Sequence, residues 1–181
     1  MQSTVFFDGG CQTQIIMSSA ALLGSRNTGN TGMLIHEAVR ASNASIVILS
    51  AGAHFHTLAD LSTQWDLMPQ ELEIVRRENP GVKIAFKSIN PGHVDCKQYT
   101  EPIDTFFPTP DPAADKYHWN MHPDFDNFSR QRALQHNMTL IEMTPLYLRP
   151  DMHSDCLHAC LPGPVNLFAI VVLNMLYTGE L

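Results

Sequence analysis

The sequence predicts an α/β fold, a parallel sheet with helices on both faces, and three observations lead there. Short β-branched and apolar runs alternate with longer segments of helical period. The alternation continues along the chain without an internal repeat. Finally, 181 residues with 44% hydrophobic side chains are enough for one domain with a sizeable core.

Each element has its own justification. Ser3 to Phe7 is a β-branched and aromatic run, predicted as the first strand. Ile46 to Ser50, Val82 to Lys87 and Thr139 to Met143 are the next three, short and apolar as buried parallel strands are. Helices are predicted over Gln12 to Leu23, Thr31 to Ala41, Gln64 to Glu78 and Asn120 to His136, with a last one from Val165 to Tyr177. Gly24 to Gly32 and Pro102 to Ala114 read as loops; Pro102, Pro108, Pro110 and Pro112 make the second an irregular excursion, either a flap over a cleft or a plain connection. In such a fold, sites gather at the C-terminal ends of the strands.

Composition narrows the partners. A formal net charge of -7 argues against nucleic acid and suits a neutral substrate such as a carbohydrate. Val165 to Tyr177, the longest apolar stretch, contains Asn166 and Asn174 and is shorter than the ~20 residues of a membrane span, so a core-packed helix is expected. Met1 to Phe7 runs straight into the first strand, and no signal peptide is expected there. Four cysteines, Cys11, Cys96, Cys156 and Cys160, permit at most two disulfides, and Asn43, Asn127 and Asn137 stand in glycosylation triplets.

A metal site is not expected. His54 and His56 flank Phe55 and would point the same way from extended backbone, yet no carboxylate or cysteine supports them at ligand spacing. Cys156-x-His158-x-Cys160 fits no common zinc arrangement either. No cofactor is implied.

The stretch richest in chemistry is Asp155-Cys156-Leu157-His158-Ala159-Cys160-Leu161-Pro162-Gly163-Pro164. An acid and a histidine three residues apart in a turn allow the carboxylate to fix the imidazole tautomer while the other ring nitrogen faces a nucleophile. Together with Leu148-Arg149-Pro150-Asp151-Met152-His153, this stretch resembles the C-terminal signature of the PC-esterase family, the trichome-birefringence-like polysaccharide O-acetyltransferases and related SGNH-type acyl esterases. Ala159 stands where that family usually has an aromatic residue, and Asn166 where it often has Asp.

The resemblance implies a three-layer, SGNH-hydrolase-like (flavodoxin-like) sheet and acyl transfer or hydrolysis on a carbohydrate. An acetyl donor is implied if the protein is a transferase, and the Golgi lumen or the extracellular space as its place. The family's Gly-Asp-Ser nucleophile turn falls on Gly9-Gly10-Cys11, after Phe7 and ahead of a helix in which Ser19 matches. In this register Cys11 takes the place of the nucleophilic serine at a helix N-terminus, which would favour its thiolate. A register shifted by one lays Gly10 on the serine and leaves no nucleophile. The family region ahead of this turn has no counterpart here, which implies a shortened member.

Further sites follow from the same resemblance. Backbone N–H groups at Gly10 and Gly52 are the implied oxyanion donors, with His54 nearby, displaced by one residue from the family's histidine. Pro91-Gly92-His93 and Cys96 match a family loop; Cys96 is then a disulfide partner for Cys156 or Cys160, and His93 is either a substrate contact or a solvated loop histidine. Trp119 is either a sugar-stacking ring or core. The implied machinery is Cys11 as nucleophile, His158 as base and Asp155 as its orienting acid; the alternative is an inactive glycan-binding relative that keeps the fold.

Overall fold

The computed structural model describes residues 2–7, 11–16, 34–52, 55–106, 111, 113–153, 155–160 and 163–181. The chain forms two compact units, Met1–Ser45 with Gln64–Val82, and Ile46–Thr63 with Lys83–Leu181. It is a mixed α/β protein with a three-stranded parallel sheet.

In the first unit β1 (Gln2–Phe7) and β2 (Cys11–Ile16) pair antiparallel, from Gln2 opposite Ile16 to Phe7 opposite Cys11. This corrects two expectations. The first run does not enter the parallel sheet, and residues 12–16 of the predicted helix Gln12 to Leu23 are strand; residues 17–23 lie outside the described residues. Cys11-Gln12-Thr13-Gln14-Ile15-Ile16 carries β-branched side chains, and Asp8-Gly9-Gly10 ahead of it is rich in hairpin-turn residues. The cost of fixing a helix nucleus is avoided when a neighbouring strand offers a ladder.

The same unit holds α1 (Ile35–Ser42) and most of α2 (Leu58–Glu78). Helix α1 is closed at its start by Glu37, whose carboxylate accepts the Leu34 N–H at 3.0 Å. The two helices are tied by His36 to Glu71 at 2.9 Å and by Arg40 to Glu78 at 2.7 Å. Trp65, Met68, Leu72 and Val75 form a fully buried stripe at helical spacing along α2. Helix α2 begins six residues before the predicted Gln64, because the Thr57 hydroxyl oxygen accepts the Asp60 N–H at 3.1 Å and so caps an earlier turn.

The second unit is built on β3 (Ile46–Leu49), β4 (Lys83–Lys87) and β5 (Thr139–Ile141), parallel and in the order β3-β4-β5. All three lie inside predicted strands. The register sets Ile46 opposite Lys83 and Ala85 opposite Thr139. Helix α3 (His122–Gln135) follows a short 3-10 turn at Trp119–Met121, and α4 (Pro164–Thr178) closes the chain.

Strand alternation explains how the sheet is covered. Ala85 and Ile141 pack with Met175 and Leu181, and with Phe168, Val171 and Val172 of α4. Lys87, on the same face, lays its ammonium 5.7 Å from the Phe168 ring centre. Ile84 and Phe86 point the other way and are buried too, so both faces of β4 are covered.

Candidate functional site

Loops that leave the C-terminal ends of the parallel strands meet in the second unit. The loop after β4 runs Ser88-Ile89-Asn90-Pro91-Gly92-His93-Val94-Asp95-Cys96. Its buried Ser88 accepts the Met143 N–H at 2.6 Å, tying it to the chain beyond β5. The Ile89 N–H donates to Asp126 at 2.9 Å, and the Tyr147 hydroxyl donates to the other oxygen of that carboxylate at 3.2 Å. Burial pushes Asp126 up to about 6 and holds the Tyr147 phenol well above its ordinary range. Burial likewise brings Lys87 down to about 8, opposed by the Asp126 carboxylate.

Trp119 braces this loop from outside. Asp115 accepts its N–H at 2.7 Å and so fixes the start of the 3-10 turn. The indole lies so close to Gly92 that a Cβ there would fall among its Cγ, Cδ2 and Cε2 atoms. Trp119 is therefore mostly core, and Tyr117, stacked on it at 5.3 Å and 55% exposed, is the surface aromatic.

The loop is then joined to the C-terminal turn. Cys96 forms a disulfide with Cys156, which selects one of the two pairings open to it. The His93 N–H donates to the Cys156 carbonyl at 2.8 Å. A bridge between His153 and Ala159, with the Cys160 N–H donating to the Met152 carbonyl at 2.9 Å, closes the base of the turn. Cys160 is an exposed free thiol.

Within that turn Asp155 organises its neighbours. One carboxylate oxygen accepts the N–H groups of Leu157 at 3.2 Å and His158 at 2.7 Å, and the other meets His158 Nδ1 at 2.7 Å. The backbone N–H of His158, then its ring, then the Leu157 N–H hold Asp155 well below the usual carboxylate range. A carboxylate only accepts, so Nδ1 carries the proton and Nε2 of the neutral ring keeps its lone pair. With the His158 side chain 76% exposed, that lone pair is open to an incoming proton.

No family model, no curated protein and no solved structure matches the chain.

Other positions singled out by the sequence have different surroundings. Gly52 ends the β3 loop at φ +133°, a backbone state that favours glycine, and is buried with Ile89 Cγ2 3.0 Å from where a Cβ would stand. His93 is buried against Tyr147 and the turn, not presented to solvent. Cys11 opens strand β2, so the helix N-terminus expected to lower its thiol is absent at that position. Gly10 and His54 lie outside the described residues. His56 makes an edge contact with His118 at 4.8 Å. Among the described residues no three His, Cys, Asp or Glu side chains group as metal ligands, and no helix is long and apolar enough to cross a membrane.

Sequence reasoning assigned no role to His153 or Asp126. His153 Nε2 lies 3.0 Å from His93 Nδ1, and the other nitrogen of His93 lies 2.9 Å from the Tyr147 carbonyl. A histidine two residues before Asp155 was the one visible signal, and its partner is 60 positions away.

Proposed function

We propose that the protein catalyses transfer or hydrolysis of an acyl ester, an acetyl ester on a carbohydrate, as a PC-esterase-like protein with an SGNH-type sheet. The single observation that carries the reading is the 2.7 Å bond between His158 Nδ1 and Asp155, which leaves Nε2 free to act as a base. In this reading the nucleophile, a role that the resemblance alone assigns to Cys11, forms the new bond to the acyl carbon and gives its proton to His158. The proton then passes to the leaving alcohol, and a sugar hydroxyl or water releases the acyl group. Asp155 orients the ring and stabilises its charged form. The resemblance alone assigns the oxyanion to backbone N–H groups at Gly10 and Gly52. Secretory surroundings agree with the Cys96–Cys156 disulfide.

A second reading is a catalytically silent carbohydrate-binding relative. It is favoured by one observation, that Cys11 begins a strand and lacks the helix dipole that would activate it.

Brief exposure to an activated acetyl ester followed by peptide mapping separates the two. Acetylation of Cys11 that disappears in His158→Ala, with ester cleavage falling about 100-fold or more, is the expected result. Labelling that ignores His158, or none on folded protein, overturns the enzymatic reading in favour of the binding one.

A further inference from the structure

The turn that carries Asp155 and His158 rests on a second histidine arrangement whose protons are set by elimination. The Tyr147 carbonyl only accepts, so His93 Nε2, 2.9 Å from it, bears a hydrogen. Neutral His93 therefore offers Nδ1 as an acceptor, and His153 Nε2, 3.0 Å away, must donate to it. That leaves Nδ1 of neutral His153 as a lone pair, and this atom is buried without a hydrogen bond.

Its surroundings belong to the dyad. His153 is bridged to Ala159, and the backbone of His158 and Leu157 faces its ring and favours the charged form. Those are the two residues whose N–H groups hold Asp155. His93 in turn donates its own N–H to Cys156 in the middle of the turn. The charged and titratable groups around the pair are Asp155 on the turn and Asp151, bonded to Arg149 at 2.9 Å. The Phe106 ring, 5.8 Å from His93, is apolar.

We propose that His153 is a proton-accepting positioning residue of the Asp155–His158 turn, taking its proton on Nδ1 while its Nε2–H stays on His93. One proton is compatible with the pair, because the His153 donor bond survives it and the backbone of His158 and Leu157 favours the charged ring. A second is not, since it would place a hydrogen on both nitrogens of the 3.0 Å contact. Burial first, then the neighbouring ring, keeps His153 below its ordinary value, and burial does the same for His93, so the pair is neutral at pH 7 and responds on the acid side. Its consequence for turnover rests on the dyad reading above; the coupling of His153 to the turn does not.

The test is nitrogen-detected NMR of the histidine rings, followed with pH beside the Leu157 and His158 amides. His153 should be the Nε2–H tautomer and gain its proton at Nδ1. The two amide signals should show a midpoint shared with His153. His153→Gln, whose side-chain amide keeps a donor for His93, should lose that midpoint from both amides. The opposite tautomer, or amides blind to the His153 midpoint, overturns the proposal; the parent spectrum alone decides this if the variant does not fold. Coupling without ester cleavage would leave the proposal standing and remove the enzymatic reading instead.

Discussion

Asp126 accepts the Ile89 N–H and the Tyr147 hydroxyl inside the protein, and burial raises it to about 6. An unfolded aspartate titrates near ~3.9, so the native state holds this proton more tightly. The stability that Asp126 contributes is therefore fullest below the unfolded value and is lost as pH rises through about 6. The difference between the two states corresponds to roughly 3 kcal/mol. Asp126→Asn keeps an acceptor for Ile89 and a donor toward the Tyr147 oxygen, and it does not titrate. The variant's unfolding free energy relative to the parent should rise between pH 4 and 7.5, measured by urea titration at several pH values; a flat difference would refute this account. For the depressed histidines the sign reverses. The unfolded chain binds those protons more tightly, so their contribution falls as pH drops below ~6.5.

Among the loops, the connection after β4 combines hydrogen bonds with close packing at Gly92. With no side chain at Gly92, the Trp119 ring lies on the backbone, and added volume has nowhere to go. Gly92→Ala should cost about 1–3 kcal/mol and lower the melting temperature accordingly. Because the clash is with one ring, Gly92→Ala combined with Trp119→Leu should lose less than the sum of the two single changes. Strict additivity in thermal melts would show that the contact is not what glycine serves. The disulfide adds a constraint of another kind. Cys96 and Cys156 are 60 residues apart, so their bond removes about 4 kcal/mol of loop entropy from the unfolded chain and holds the dyad turn against the loop.

Considered as one molecule, the protein is acidic, yet it carries a surface with no charge. Helix α4 has no charged residue from Pro164 to Thr178. Its inner side packs on Ala85 and Ile141, whereas Leu167, Ile170, Leu173, Leu176 and Tyr177 are exposed, Ile170 to 63% and Tyr177 to 91%. Such a stripe favours association as concentration rises. Ile170→Glu with Leu173→Lys, an i,i+3 pair on the exposed side, should reduce association in sedimentation experiments without lowering thermal stability by more than about 1 kcal/mol. Equal association of parent and variant would exclude this stripe as the cause.

Features that depend on near neighbours were legible in the chain. The three parallel strands were readable as compact apolar runs, and α3 and α4 as helical periods, because burial on both faces of a sheet and helix repeat act over a few residues. Asp155 and His158 were visible for the same reason, a three-residue spacing that a turn converts into a bond. The pairing of Gln2–Phe7 with Cys11–Ile16 was not, since a β-branched run is a strand only if a partner is available, and a helix was the competing outcome. The choice of Cys156 over Cys160, the Asp126 network and the tautomers of His93 and His153 join residues 21 to 60 positions apart. Composition and local pattern determined which elements form and which side chains have the chemistry. Burial and the donor or acceptor that each polar atom meets across the fold decided which of them work together.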